Sequence, residues 1–449
     1  MNIETLRPSM EKMGDFAKDI GADAYDILAG ASESSGISMF KGEVQNVEIS
    51  SSRGIGIRIF RDGYPGYAHT ERMTDEAIKD AVNSAWDNTY LTGQLKMKLP
   101  VAQELPQGDE DKLDSWSDKL GNIELDSFTP HCLEMEKVAL DSEEIVNVPY
   151  LGMNVSASQG AILNSNGLFY SNRSNLLSGG VGCVARRDEV DKLGYYSKSL
   201  KSLELFKATE IGIEAVKRSK ELLGAKTVKS GKYPVLLSNR ISAQLLGMFN
   251  SGFYAERIQK GQSKLKGKLG QKIASDLVTI RNAPHRPDLS GSTYFDSEGV
   301  LTQDLDVIKN GQFESVLYNL ESAAIDNVAP TGNGSRGYSG KSGTAFNNFV
   351  FDLGDSSSEQ LIKELHTGLF IVKLEGGSGC SAISGDISIG AQGFWVENGV
   401  IVEPVDSLTL STNYFDLLQN VVGVSSSYND HFSSMKVPDL LISEMSVAG

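Results

Sequence analysis

Gly54-Ile55-Gly56-Ile57-Arg58-Ile59-Phe60 sets three isoleucines between small or charged neighbours. A period of two gives a strand one apolar face, so this stretch reads as a half-buried strand. Asp62-Gly63 is a hairpin signal leading into a return strand over Tyr64 to His69. Thr74, followed by Asp75 and Glu76, then caps a helix to about Thr89, with the acids at its positive end. Upstream, a helix from about Leu6 to Ile20 stops at Gly21, and strands are expected over Tyr25 to Leu28, Ile37 to Phe40 and Val44 to Ser50. The texture returns between Leu151 and Lys198, as short strands separated by Asn-Gly and Gly-Gly. There Gly180 to Arg186 echoes the glycine-interrupted strand, and a return strand and helix follow it, the pattern of an internal duplication within residues 1–224.

Residues 90–128 are polar, contain Pro100, Pro106 and a run of acids, and read as linker-like. Thr129-Pro130 opens another helix, proline sitting where its missing N–H costs nothing. A long helix from about Leu203 to Leu223 stops at Gly224. Beyond Ser230-Gly231 come a buried-type strand, Tyr233 to Leu237, and a helix expected over Ile241 to Arg257. Strands then dominate, with Asn310-Gly311 and Asn398-Gly399 between apolar runs as hairpin signals. Ser356-x-x-Glu359 has the form of a capping box for a helix to about His366. Short strands with segregated helices give an α+β fold with mixed or antiparallel sheets. Two domains are expected: an N-terminal α+β domain, residues 1–226, and a strand-rich C-terminal one, residues 227–449.

Composition narrows the function. The 449 residues carry 42 Lys plus Arg against 58 Asp plus Glu, a net charge of −16. Such a chain repels phosphate on average, which argues against nucleic acid and against an anionic membrane surface. Three scattered cysteines, Cys132, Cys183 and Cys380, speak for reduced thiols. No apolar run reaches the ~18 residues of a membrane span, and MNIETLRPSM carries no secretion signal. A soluble, cytoplasmic protein is expected.

Local motifs for chemistry are sparse. The five histidines share no helix turn, although His131-x-x-Glu134 could place two ligands on one face. Gly340-Lys341-Ser342 resembles the end of a phosphate loop, but Ser335 stands where a glycine is needed and a strand follows. Gly377-x-Gly379-x-x-Ala382 lacks the helix a dinucleotide site requires. Asp296 and Glu298 could serve as paired carboxylates or simply as turn residues. The loop Thr331 to Gly343 holds five glycines in thirteen residues, with Arg336 and Lys341 as cations. Backbone N–H groups of such a loop could lie along an extended peptide while the cations orient it; the other reading is a flexible surface loop.

Several longer strings lie in register along the chain. They are Val44-Gln-Asn-Val-Glu48 with Gly54-Ile-Gly56, Phe295-Asp-Ser-Glu-Gly-Val300, Asp306-Val-Ile-Lys-Asn-Gly311, Thr331-Gly-Asn-Gly334, Gly393-Phe-Trp-Val-Glu-Asn-Gly399 and Ser443-Glu-Met-Ser-Val-Ala-Gly449. Together they resemble the TldD/PmbA family over nearly the whole chain. The resemblance implies a cytoplasmic two-subunit protease, also known as a modulator of DNA gyrase, that cleaves unfolded peptides or matures modified peptide precursors. In that family the TldD subunit binds zinc through a His-Glu-x-x-x-His helix and a cysteine near the C-terminus, and the PmbA (TldE) subunit lacks these ligands.

Placed after the Tyr233 to Leu237 strand, the zinc helix corresponds to Ala243-Gln-Leu-Leu-Gly-Met248. Ala243 offers no lone pair, Met248 only a soft thioether, and Gln244 cannot take a proton near pH 7. No cysteine follows Cys380. The chain therefore resembles the PmbA/TldE subunit, with no catalytic residues and no cofactor of its own, and zinc in a TldD-like partner. Thr331, Gly332, Asn333, Gly334, Arg336 and Lys341 are the candidates for holding an unfolded or precursor peptide. A homodimer of the lone chain stays open. So do two other functions: a stand-alone metal-independent hydrolase using Asp296 and Glu298 or Cys380, and a homo-oligomeric peptide-binding protein without catalysis.

Overall fold

The structure, a computed structural model, describes residues 3–95, 97–107, 112–113 and 115–449. The acidic run at 109–111 of the linker-like stretch lies outside the described residues. The N-terminal part opens with α1 (Arg7–Asp19), then β1 (Ala24–Phe40), β2 (Glu43–Arg61), β3 (Tyr64–Thr70) and α2 (Asp75–Asn88). The same order follows again: α3 (Thr129–Leu140), β4 (Ile145–Asn164), β5 (Phe169–Arg187), β6 (Val190–Leu200) and α4 (Ala208–Lys220). β1 and β4 pair antiparallel, Asp26 opposite Asn164 through Ser38 opposite Gly152, and fuse both sets into one six-stranded sheet, β3-β2-β1-β4-β5-β6.

Period-2 alternation decides what each face does. Ile27, Ala29, Ile55, Ile57 and Ile59 pack with Met10, Met13 and Ala17 of α1 and with Ile78, Ala81, Val82 and Ala85 of α2. Further along, Ile37, Met39, Met153, Val181 and Cys183 pack with Cys132, Met135 and Ala139 of α3 and Ile211 and Ala215 of α4. All these strand residues are odd-numbered and point one way, so the four helices cover a single face. Each isoleucine sealed there contributes roughly 1.5–3 kcal/mol over an exposed one. The opposite face, with Asp26, Gly30, Gly54, Gly56 and Arg58, turns toward the C-terminal part.

Several elements differ from their expected limits. β1 and β2 are long unbroken strands, because Ser32 to Gly36 keeps the backbone ladder where no helix covers the side chains. Gly179-Gly180 lies inside β5, not in a turn; a Cβ on Gly179 would meet the Phe206 ring at 2.5 Å. The helix expected to begin at Leu203 is a 3-10 turn, Leu203–Leu205, followed by α4.

The C-terminal part holds a second six-stranded sheet in the order Val400–Asn413, Asp386–Glu397, Gly368–Glu375, β7 (Gly231–Leu237), Leu440–Ala448 and Val421–Val424. β7 runs parallel to Gly368–Glu375 and antiparallel to Leu440–Ala448, with Val235, Leu236 and Leu237 wholly buried. α5 (Asn239–Gly247) follows β7. The helix expected to reach Arg257 is broken into α5, a 3-10 turn at Asn250–Phe253 and a short helix Ala255–Gln259, at the weak helix formers Asn250, Ser251 and Gly252. Both Asn-Gly hairpins form with both residues at positive φ, 46° and 80° at Asn310-Gly311 and 51° and 74° at Asn398-Gly399. The capping box sits one residue later than expected, on Ser357 and Gln360. The fold is α+β with a strand-rich C-terminal region.

Candidate functional site

The glycine-rich loop and the glycine-interrupted strand explain each other. Gly334–Ser335 pairs with Gly343–Thr344, and the tip between them lies across the helix-free face of the N-terminal sheet. The Tyr338 ring rests on Gly30, where an added Cβ would stand 3.0 Å from it, and on Gly54. The Tyr338 carbonyl sits over Gly56, so no side chain fits at that position. Its hydroxyl donates to Glu71 Oε1 at 2.7 Å. Gly54 and Gly56 thus form a socket for this loop.

Beside the socket lies a buried charge network. Arg58 donates to Asp26 through Nε, at 2.9 Å, and through Nη2, and its Nη1 donates to Glu298 Oε1 at 2.8 Å. Arg336 Nη2 donates to the other Asp26 oxygen. The Asp26, Arg58 and Glu298 side chains have no exposure and Arg336 keeps 3%. Glu298 Oε2 also accepts the Leu320 N–H, at the start of helix Leu320–Asp326, at 2.7 Å. Burial works to raise the Asp26 carboxyl, but Arg336 and Arg58 outweigh it and hold it below the ordinary carboxylate range. Burial likewise opposes the Arg58 charge, yet Asp26 and Glu298 more than offset it and hold its pKa above the usual range. Asp296 goes the other way, pushed up by burial and then by the Glu298 charge, against N–H groups from Gly334, Glu298 and Val300.

An open cavity of about 1720 Å³ separates the β4–β5 side of the sheet from the C-terminal part. Leu105, Trp116, Tyr170, Arg173, Phe295 and Phe346 help to line it, and the Tyr170 and Phe295 rings meet at 5.0 Å. Of the expected peptide contacts, Asn333, Gly334 and Arg336 reach this cavity. Asn333 is tied down by bonds to Asn282, Ala345 and Asn347. Thr331 accepts the Tyr318 N–H at 2.7 Å and donates to Asn333, while Gly332 takes a φ of 72° against the Leu301 carbonyl. Lys341 Nζ stands 3.7 Å from Glu321. Both loop cations therefore have partners within the chain, the Arg336 side chain almost fully buried with its own.

Ala243 and Gln244 lie on α5 and Met248 at its end; Ala243 and Met248 pack against the C-terminal core and Gln244 faces solvent. Among the described residues, no group of three His, Cys, Asp or Glu could hold a metal ion. His131 stacks edge-on to Phe206, and His285 bonds Thr302 and Asp304. Burial raises the Cys132 thiol to about 12, with a further push from Glu136, and Cys183 to about 11. Cys380 is half-buried. Asp296 and Glu298, offered by the sequence as an acid–base pair, are 4% and 0% exposed and engaged with backbone N–H groups and Arg58. Sequence reading passed over Asp26, Arg58, Tyr338 and Arg173. The available signal was Arg58 sharing a strand face with Gly54 and Gly56, small residues that a solvated face does not call for.

Solved structures share this fold. A candidate DNA gyrase modulator from Thermotoga maritima superposes with a TM-score of 0.90 at 27% identity, covering 99% of this chain and 100% of that one. TldE from Thermococcus kodakarensis has the same fold, with a TM-score of 0.85 at 22% identity over 98% and 100%. Family models described as PmbA/TldA metallopeptidase domain 1, central domain and C-terminal domain match residues 25–89, 117–223 and 230–449. The chain belongs to the PmbA/TldD metallopeptidase family. Its relatives include the metalloprotease PmbA of Escherichia coli, 28% identical with 100% of this chain and 98% of that protein covered. A metalloprotease of Methanothermobacter thermautotrophicus is also 28% identical, with 95% and 93% covered. Among the described residues, no helix is long and apolar enough to cross a membrane.

Proposed function

We propose that this chain is the PmbA/TldE-like, metal-free subunit of a cytoplasmic zinc peptidase whose second, TldD-like subunit carries the metal. The pair would degrade unfolded peptides or mature modified peptide precursors. One observation carries the reading: α5, the helix after β7, presents Ala243, Gln244 and Met248 where the family resemblance places a zinc-binding histidine, a glutamate and a second histidine. This donor set does not fit zinc, which takes imidazole, thiolate or carboxylate ligands. Hydrolysis is therefore assigned to the partner's metal. This chain contributes a cleft wall, with Gly334 and the Arg336 backbone beside the bound peptide and the buried pairs of Arg336 holding that wall in place.

The test is metal analysis and peptide hydrolysis with the purified chain, a TldD-like His-Glu-x-x-x-His chain, and their mixture. Turnover that needs this chain and the metal-bearing one together supports the assignment. Stoichiometric zinc bound at α5, metal-independent turnover by the lone chain, or peptide binding without turnover in the mixture each overturns it.

A further inference from the structure

β5 runs past its neighbour. β6 pairs only with Leu177–Arg187, so Phe169–Leu176 has no strand paired to its outer side among the described residues, and it projects into the large cleft. One residue shows which way its amides point. The Asn175 N–H donates outward to the Ser115 carbonyl at 3.1 Å, and the Asn175 carbonyl accepts Lys201 Nζ at 2.8 Å. Residues two apart on a strand point their backbone groups the same way, so the N–H and C=O of Ser171 and Arg173 also face outward. Neither residue's backbone has an outward partner among the described residues. These are the donors and acceptors that a further strand would use.

The surroundings specify what that strand should be. At about 1720 Å³ the cleft exceeds the ~300–1000 Å³ of small-molecule pockets. Arg173 is exposed, stacks on Trp116 at 4.7 Å, and has no carboxylate partner among the described residues of a chain with net charge −16. On the other face of the strand Tyr170 and Phe295 are buried against each other, and the half-buried Leu105 and Tyr294 packed on them give the cleft its apolar lining. Side chains of an added strand alternate between these two faces. We propose that the β5 edge at Ser171–Arg173 binds an extended, unfolded peptide segment in which acidic residues alternate with apolar ones. The peptide adds as a strand, its carboxylates meeting Arg173 and its apolar side chains meeting Leu105 and Tyr294. This inference rests on the peptide-handling role proposed above and gives that role a location and a substrate preference.

The probe is a fluorescein-labelled unstructured peptide alternating Glu with Leu, titrated against the full chain and read by anisotropy. Ser171→Pro removes one outward N–H that the sheet does not use, a change edge strands accept, and should weaken binding about fivefold. Arg173→Glu should weaken it about tenfold or more, and Arg173→Lys should largely preserve it. Circular dichroism and melting point, unchanged in each variant, confirm that the fold is intact. Equal affinity for a Lys/Leu peptide, unaltered binding in both disruptive variants, or no binding to the parent chain would each overturn the proposal. The subunit assignment fails separately. Edge-dependent binding with no turnover in the mixed peptidase assay leaves the edge site standing and removes the metal-free-subunit reading. Turnover in the mixture with edge variants that bind normally does the reverse.

Discussion

Arg336→Met should loosen the join between the N-terminal sheet and the C-terminal part. Asp26 and Glu298 bring two negative charges into the interior, and Arg58 and Arg336 bring two positive ones. Methionine conserves most of the volume but leaves one carboxylate charge uncompensated where water does not reach. Stripping a buried ion pair of one partner costs about 3–5 kcal/mol. Asp26 keeps both of its bonds from Arg58, which places this case near the lower end, about 3 kcal/mol. At ~1.4 kcal/mol per decade, the loop should leave its socket on the order of a hundred times more often. Hydrogen exchange of the Gly334–Thr344 amides and protease cleavage in the loop both report that opening. Asp26→Asn should partly rescue the variant, because the charge left behind is removed as well. An effect below about 1 kcal/mol, the level of an exposed pair, or strict additivity of the two substitutions, would show that the network does not hold the join.

Three further outcomes follow, two of them from the same region. Asp296 has a folded pKa raised above its unfolded one, first by burial and then by Glu298. The folded state therefore keeps a proton that the unfolded chain releases, and the stability this supplies is complete below the ordinary carboxylate range and lost as pH rises through the raised value. The difference in unfolding free energy between the parent and Asp296→Asn should accordingly shrink from pH 5 to pH 8, and parallel profiles would refute the assignment. Gly56→Ala should destabilise by about 1–3 kcal/mol and expose the loop, because its Cβ collides with the Tyr338 backbone. Gly182→Ala, on the echoing strand, meets only the Tyr150 and Tyr195 side chains, at 3.1–3.2 Å, and should be milder by urea titration.

What was legible in the sequence is what local physics fixes. The Thr74 cap accepts the Ala77 N–H, and both Asn-Gly turns form, because each needs only the residues around it. The capping box slipped by one because Ser356 and Ser357 are each followed, three residues on, by a side chain able to close it. Strand length was harder to read. Ser32 to Gly36 has little apolar character, yet the ladder belongs to the backbone and runs through it, while the helices cover only the two ends of the sheet. The socket was out of reach for another reason. Taken alone, Gly54–Phe60 reads as a strand and 331–343 as a peptide-holding or flexible loop, and only their contact shows that one is shaped to receive the other.

The charge network makes the same point about function. Asp296 and Glu298 admitted two readings, catalytic carboxylates or turn residues, and both considered them apart from the rest of the chain. In the folded molecule Glu298 belongs to Arg58, and Arg58 is already shared with Asp26, which Arg336 completes. Two carboxylates then balance two guanidiniums, and Asp296 is the odd acid in the set. A further anion beside Glu298 would have no cation to meet it, so the Asp296 carboxyl is the one whose pKa is driven upward. The separation of the acids into charged and protonation-prone members is thus set by the count of arginines that the fold brings together, a quantity no single stretch of the sequence contains.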